Sequence, residues 1–161
     1  MPTRLFRQKR FFGFMAILLL AGCASAKPPI PVDEVPTHVQ AKAAGFFMKE
    51  GHDGVETYYV LTLTPVKPLE EDIFIEVYFE NPVDKYHPLH ISQTMKKTDK
   101  EFNLMSAQVR NVRVDREYLV DIYAYDNAGR ENRLSHLQQI VRPVMDEATF
   151  RDMVAASPKR P

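Results

Sequence analysis

The chain has very little of several residues on which small proteins often depend. Among its 161 residues there is one cysteine, no tryptophan and only six glycines. A single thiol excludes an intrachain disulfide, so the burial of apolar side chains has to stabilise the fold. The sequence contains no Gly-x-Ser-x-Gly nucleophile motif and no glycine-rich phosphate loop. We therefore predict no enzymatic activity, no catalytic residue and no cofactor.

Excess charge and clustered metal ligands are also missing. The 21 basic and 21 acidic residues give a formal net charge of zero, so no basic field for nucleic acid is present. The closest histidines are His87 and His90, and Asp84 is the only other donor beside them. Because a zinc site usually takes three or four protein ligands, we predict no metal site.

The first 22 residues have the pattern of a secretory signal. Four basic residues and no acid precede an apolar run over residues 11–20, and small residues follow it. The run is about half the roughly 20 residues needed to cross a bilayer, so a signal peptide is favoured over a transmembrane helix. The basic residues are Arg4, Arg7, Lys9 and Arg10.

The end of this segment, Leu20-Ala21-Gly22-Cys23, resembles the lipobox of bacterial lipoproteins. The resemblance implies that Cys23 is lipidated and that the chain is cut before it, which would anchor the protein to a membrane. Ala24 stands where an aspartate would favour retention in the inner membrane. The resemblance therefore implies the periplasmic face of the outer membrane in a Gram-negative envelope. The mature chain would carry 17 basic and 21 acidic residues.

Downstream, the composition divides the chain into three parts. We predict that residues 23–37 are the lipidated cysteine and a proline-rich tether, because prolines this dense prevent a helix or an internal strand. Residues 38–143 are predicted to form a β-sandwich domain. Residues 144–161 are predicted to be a short C-terminal helix and tail, with the helix over Asp146–Ala156.

β-Branched and aromatic segments separated by turn residues predict an all-β, antiparallel sandwich of about seven strands. One further strand over 39–48 is weaker, because Ala41–Ala44 fits a helical turn equally well. The other strands are predicted at 57–64, 73–80, 89–95, 102–112, 118–125 and 134–141.

Residues 118–126, with Val112 six residues before Tyr118, resemble the E–F corner and F strand of a fibronectin type III or immunoglobulin-like domain. The resemblance extends over about residues 38–142. It implies that the Tyr118 hydroxyl returns to the backbone upstream. The chain lacks the family's usual tryptophan, and we expect Tyr58 or Val60 to fill its space.

Alternation along two of these strands predicts an aromatic surface. Even-numbered residues of the strand at 73–80 and odd-numbered residues of the strand at 118–125 are expected to face outward, because the opposite sets are entirely apolar. Aromatic side chains with a polar rim are typical of interfaces. Alternatively, the C-terminal helix, through Phe150 and Met153, or the N-terminal segment covers this surface. The aromatic residues are Phe74, Tyr78, Tyr123 and Tyr125, with Glu76, Glu80 and Asp121 among them.

These features together predict a non-enzymatic interaction or assembly module of an envelope complex, held to the membrane by its lipid and bound to an envelope protein partner. The alternative is a lipoprotein that binds a small ligand such as a glycan or peptidoglycan fragment, because tyrosine rings stack on sugars.

Overall fold

The structure, a computed structural model, describes residues 32–33 and 35–157. The predicted signal peptide, the lipobox with Cys23 and most of the tether lie outside these residues. The described chain is mostly β, with two antiparallel sheets and one C-terminal helix. This confirms the all-β, antiparallel prediction.

Seven strands and one helix follow one another within the described residues. A three-stranded sheet has the order β1-β2-β5, and a four-stranded sheet has the order β4-β3-β6-β7. The elements are β1 (Val39–Gly51), β2 (Gly54–Pro65), β3 (Ile73–Phe79), β4 (Leu89–Met95), β5 (Phe102–Met105), β6 (Tyr118–Tyr125), β7 (Arg133–Val141) and α1 (Glu147–Ala156).

The core lies between the two sheets and is built from alternate residues of their strands. On β3 and β6 the inward sets are the apolar ones that the alternation predicts, from Ile73 to Phe79 and from Tyr118 to Ala124. On β2 the expectation for Tyr58 or Val60 is wrong. Tyr59 is the fully buried residue, and its ring lies 5.1 Å from that of Phe79. The odd-numbered residues of β2 face inward, so Tyr58 lies on the opposite side.

Tyr118 ties the start of β6 to the preceding loop. Its side chain is 1% exposed, and its hydroxyl accepts a hydrogen bond of 2.8 Å from the backbone N–H of Arg113. The expected return of this hydroxyl to the upstream backbone is confirmed. The bond satisfies a loop N–H that would otherwise lack an acceptor.

We expect Tyr118→Phe to lower the free energy of unfolding by about 1–2 kcal/mol, because it leaves the Arg113 N–H unsatisfied beside a buried ring. Urea denaturation of the variant and the wild type measures this difference. Tyr86→Phe is the matched control, because Tyr86 is 79% exposed and its change should have almost no effect. Equal losses in the two variants would contradict a structural role for the Tyr118 hydroxyl.

Two strands differ from their predicted forms. The segment at Ala41–Ala44 belongs to strand β1, which accommodates it with a register shift between Ala41 and Ala43. The segment predicted as a strand over 102–112 forms a regular strand only to Met105 and meets β2 once more at Val109, whose N–H donates to the Thr57 carbonyl at 2.8 Å. Directly after Met105, the Ser106 hydroxyl accepts the Tyr59 N–H at 3.0 Å, so a side chain replaces the next carbonyl of the ladder.

The C-terminal helix α1 begins where predicted but lies on the other side of the sandwich. Asp146 is its N-cap and accepts the Thr149 N–H at 2.7 Å. Its main contacts are with β1 and β2, and Phe150 and Met153 line a small apolar cavity beside Phe46 and Phe47. The expectation that Phe150 and Met153 cover the aromatic surface is therefore wrong. Within residues 32–33 and 35–157, no helix combines the length and apolar character needed to span a bilayer.

Candidate functional site: the aromatic face

Strands β3 and β6 bring the four predicted aromatic residues onto the outer surface of the four-stranded sheet. We call this set, Phe74, Tyr78, Tyr123 and Tyr125, the aromatic face. Phe74 is paired with Tyr125 across the two strands, and Glu76 is paired with Tyr123. All four aromatic side chains are half-buried. They are held on rigid strands rather than on loops.

A row of four rings crosses the whole sheet through this face. Tyr78 stacks on His90 of β4 at 4.5 Å between ring centroids, and Tyr123 stacks on His136 of β7 at 4.2 Å. The two tyrosines meet edge to face at 5.8 Å and so join the halves of the row. These are favoured geometries for aromatic pairs.

Strand register explains the close stacking. On the outer side of β7, the His136 carbonyl accepts the Asp33 N–H and the His136 N–H donates to the Asp33 carboxylate, so both backbone groups of His136 point away from β6. Tyr123 and His136 are therefore a non-hydrogen-bonded pair, in which side chains lie closest. Tyr78 and His90 form the same kind of pair. The Glu80 N–H bonds Leu119 of β6, so the backbone groups of the even-numbered residues of β3, including Tyr78, point to β6 and not to β4.

Glu76 is a buried carboxylate in the middle of this outward surface. It is 2% exposed, although alternation places it on the outer side. Arg130 approaches its Oε1 at 2.6 Å, and His90 Nε2 lies 3.1 Å from the same oxygen. The expectation that Glu76 belongs to a solvated polar rim is wrong, because these neighbours enclose it. A buried carboxylate needs such charged and hydrogen-bonded partners.

Arg130 reaches Glu76 from the turn between β6 and β7. This turn spans Asp126–Arg130 and is closed by a bond from the Arg130 N–H to the Asn127 carbonyl at 3.1 Å. Arg130 has a φ of 60°, a left-handed conformation that is rare for a residue with a β-carbon. The Arg130 side chain is half exposed where it contacts Glu76. The turn thus places a cation at the border of the aromatic face.

Asp121 ends the row on the side of β7. Its Oδ1 lies 3.2 Å from His136 Nε2 and accepts a bond of 2.9 Å from the Gln138 amide. His136 is 3% exposed, so both ring stacking and this carboxylate hold its imidazole. The two ends of the row therefore share one arrangement, a histidine that stacks on a tyrosine and contacts an acid.

A groove of about 470 Å³ lies over the aromatic face and is lined by Tyr78, Tyr123 and Tyr125. Glu80 and Asp121 border it on the sheet, and Lys85 of the β3–β4 loop borders it from the side. Glu80 is itself paired with Arg116, and its Oε2 accepts the Leu119 N–H at 3.0 Å. The groove thus offers apolar ring surface and polar groups whose charges are largely balanced.

The three tyrosine hydroxyls remain protonated at neutral pH. Burial raises the pKa of Tyr78, Tyr123 and Tyr125 above the usual value. The Glu76 carboxylate raises the pKa of Tyr78 and Tyr125 further, and Asp121 does so for Tyr123. A neutral phenol both donates and accepts hydrogen bonds. Each of the three hydroxyls can therefore donate a hydrogen bond and accept one at the surface of the groove.

The N-terminal segment runs along the sheet edge rather than over the face. Asp33 N–H donates to the His136 carbonyl at 2.8 Å, and the Thr37 hydroxyl donates to the Leu134 carbonyl at 3.1 Å. Both contacts lie on the outer side of β7. Neither the helix nor the described part of the N-terminal segment covers the groove.

The two histidines of the closest spaced pair have separate partners. His87 Nδ1 lies 2.6 Å from Asp84 Oδ2 in the loop before β4, whereas His90 contacts Glu76 and stacks on Tyr78. Across residues 32–33 and 35–157, no group of three or more histidine, cysteine or acidic side chains is placed to hold a metal ion.

Sequence reasoning found the four aromatic residues but missed three others that build the site, His90, His136 and Arg130. His90 and His136 carry a usable signal, since each stands directly opposite a tyrosine once the register is known. Glu76 was identified with the wrong burial. Arg130 carries no local signal, because its contact with Glu76 depends on the path of a turn.

Comparison of the chain with protein-family models and with curated proteins gives no match. The candidate site therefore has to be interpreted from its own geometry.

Proposed function

We propose that this chain is a membrane-anchored envelope lipoprotein whose β domain is a non-enzymatic protein-interaction module. In this proposal Cys23 carries the lipid, and the protein lies at the periplasmic face of the outer membrane. The aromatic face binds an envelope protein partner. The observation that carries the proposal is the groove over Tyr78, Tyr123 and Tyr125, which no described segment covers, because the helix that could have covered it packs against β1 and β2.

The proposal includes an immunoglobulin-like or fibronectin type III-like fold for the domain. Two features support it. The seven strands divide into three and four with the sheet orders given above, and the Tyr118 hydroxyl bonds the backbone five residues upstream. Such sandwiches hold surface side chains rigidly, which lowers the entropy that an interface loses on binding.

Tyr125→Lys is expected to lower recovery of the envelope partner at least about tenfold, because it places a charge in a groove of stacked rings without removing the ring row. Tyr78→Ala should have a similar effect by removing one wall of the groove. Recovery is measured by crosslinking in intact envelopes followed by quantitative mass spectrometry.

Tyr86→Ala is the matched control, because Tyr86 lies in the β3–β4 loop, outside the aromatic face, and is 79% exposed. Thermal unfolding of each variant checks that the domain remains folded. If partner recovery is the same with Tyr125→Lys as with Tyr86→Ala, the aromatic face is not the binding surface.

A small ligand such as a glycan or peptidoglycan fragment is the second candidate. It is favoured by the juxtaposition of Tyr123 with Asp121 in the groove, since a ring face and a carboxylate acceptor suit a sugar. Calorimetry with soluble peptidoglycan fragments separates the two functions. Saturable binding that Tyr123→Ala abolishes would favour the ligand, and its absence would leave the protein partner.

A further inference from the structure

An apolar patch lies where the chain passes from β7 to α1. A cavity of about 140 Å³ is lined there only by apolar side chains, from residues 46–48 of β1, residues 144–145 and the helix. Val144 is 90% exposed, the highest value among the large apolar residues of the described chain, and Phe47 and Met153 are about half exposed. We call the cavity and these three residues the apolar patch. Contiguous exposed apolar surface marks a site of contact with a protein or a membrane.

Core packing does not account for the apolar residues of this patch. Helix α1 is described along its whole length and contains no buried residue. Met48, Met145 and Met153 line the cavity, and the unbranched side chain of methionine adapts to an irregular surface. These features favour contact with a surface that has no single fixed shape.

The N-terminal segment leaves the domain toward the end that carries the patch. Followed backward from Thr37 to Asp33, the segment moves from the Leu134 carbonyl to the His136 carbonyl, which are its hydrogen-bond partners on β7. It therefore runs toward the C-terminal end of β7. That end of β7 leads within three residues to Val144. The tether and the patch thus lie toward the same end of the sandwich.

The length of the tether keeps the patch close to the proposed lipid. Residues 24–31 follow Cys23, and an extended proline-rich segment of this length spans roughly 25 Å. Val32 lines a shallow cavity with Gln138, and the chain from Gln138 to Val144 can span at most about 22 Å. The bilayer that would hold the lipid is therefore a surface within reach of the patch. Tethering would give the bilayer a high effective concentration there.

The charges beside the patch indicate an apolar contact rather than an electrostatic one. Bases and acids are mixed around it with no positive excess, and Lys49 and Arg142 are paired with Glu56 and Glu117. Attraction to anionic headgroups is therefore not available, and burial of the exposed apolar side chains has to hold the patch on lipid. The charged residues closest to the patch along the chain are Lys49, Glu50, Arg142, Asp146, Glu147, Arg151 and Asp152.

We propose that the apolar patch docks on the bilayer surface, with Phe47, Val144 and Met153 among the headgroups and upper acyl chains. The inference rests on the lipid anchor of the proposed function. It adds a second membrane contact that determines which end of the sandwich faces the bilayer. This contact depends on the anchor, because three partly exposed side chains offer less apolar surface than one myristoyl chain, which itself binds only reversibly.

Quenching by nitroxide lipids tests the contact on the full-length lipidated protein in phosphatidylcholine vesicles. Val144→Cys introduces a thiol for a bimane label, since Cys23 is acylated in the proposed form. Nitroxides near the headgroups should quench this label at least about twofold more than a label at Glu131→Cys. Glu131 is the matched control, because it is exposed in the turn before β7, at the opposite end of the strand. Equal quenching at the two positions would overturn the proposal.

A label at a third position separates the patch from the affinity of the fluorophore for lipid. Ala156→Cys places the label one turn after Met153 on α1, so Val144 remains available for substitution. Val144→Asp should lower quenching of this label to the level at Glu131, because it puts a charge into the apolar contact. Val144→Leu should leave the quenching unchanged. Both changes are at an exposed position, and thermal unfolding checks that the domain stays folded. Equal quenching in the two variants would contradict a role for the patch.

Three further readouts identify the cause of a negative result. Co-sedimentation with vesicles reports the anchor, so a protein that sediments without greater quenching at Val144 refutes only the docking of the patch. A protein that does not sediment lacks the anchor, and both proposals fail. Replacing part of the phosphatidylcholine by phosphatidylglycerol should not change the quenching, and quenching that requires the anionic lipid would contradict the apolar contact. Disulfides between Val144→Cys chains that are not quenched would identify a second copy as the occupant and overturn the proposal.

Discussion

Arg130→Ala is expected to lower the free energy of unfolding by about 3 kcal/mol, more than a hundredfold in the folding equilibrium. The physical reason is that Glu76 is buried, so removing Arg130 leaves its carboxylate shielded from water and without its cationic partner. Breaking a buried pair by deleting one partner typically costs about 3–5 kcal/mol. The lower end applies because His90 still contacts Glu76 Oε1 and because the guanidinium is half exposed.

Guanidinium or urea denaturation at neutral pH measures this loss, and a double-mutant cycle assigns it to the pair. Glu76→Gln replaces the carboxylate by a neutral group of similar shape. In that background Arg130→Ala should cost about 1 kcal/mol or less, which gives a coupling of roughly 2 kcal/mol. Equal costs of Arg130→Ala in both backgrounds would show that the contact does not stabilise the fold.

Two further variants separate charge burial from other effects of the change. Arg142→Ala deletes an arginine whose pair with Glu117 is exposed on both sides, so it should cost less than about 1 kcal/mol. Arg130→Gly also loses the guanidinium but relieves the left-handed backbone at φ 60°, and it should be more stable than Arg130→Ala by roughly 1 kcal/mol.

The direction of most side chains was predictable from the sequence because strand alternation is a local property. On β3 and β6 the apolar sets identify the inner side without any knowledge of strand pairing. The burial of Glu76 was not predictable in this way. Its enclosure depends on His90 from a neighbouring strand and on Arg130 from a turn, and both contacts arise from tertiary structure.

The ends of the strands and the packing of the helix were harder to predict from the sequence than the existence of these elements. The regular strand predicted over 102–112 ends at Met105, where the Ser106 hydroxyl takes the place of a carbonyl in bonding the Tyr59 N–H, and only an isolated bridge at Val109 follows. That contact links residues 47 positions apart, so the local pattern does not predict it. The helix was predicted from its acidic start and apolar spacing. Its docking side depends on how the chain turns after β7, and the local pattern contains no information about that turn.

Cys23→Ser is expected to abolish lipid attachment completely, because serine lacks the thiol that the lipobox resemblance assigns to acylation. One acyl chain gives only reversible membrane binding, and two or more give stable anchoring. We therefore expect the wild type in the detergent phase of a Triton X-114 partition and labelled by an alkynyl palmitate probe. The variant should be unlabelled and should lose nearly all of its partition into that phase.

Two controls make this result specific to the lipid. Ala24→Asp keeps the cysteine, so it should remain labelled while shifting from the outer to the inner membrane on a sucrose gradient. The size of the Cys23→Ser chain shows whether residues 1–22 have been removed. A variant of mature size that still partitions into detergent would contradict the anchor, whereas an uncleaved chain would be held by its signal segment.

The proposed anchor would also limit where the aromatic face can act. Asp33 and Thr37 are bonded to β7, so the tether that remains after Cys23 is residues 24–31. If their prolines keep them extended, they would hold the near end of the domain within roughly 25 Å of the membrane. Loss of the lipid should therefore lower partner recovery from envelopes by lowering the effective concentration, yet leave binding of the purified partner unchanged. Tyr125→Lys should lower both. If Cys23→Ser also weakens binding to the purified partner, the lipid contributes to the interface itself and the anchor is more than a tether.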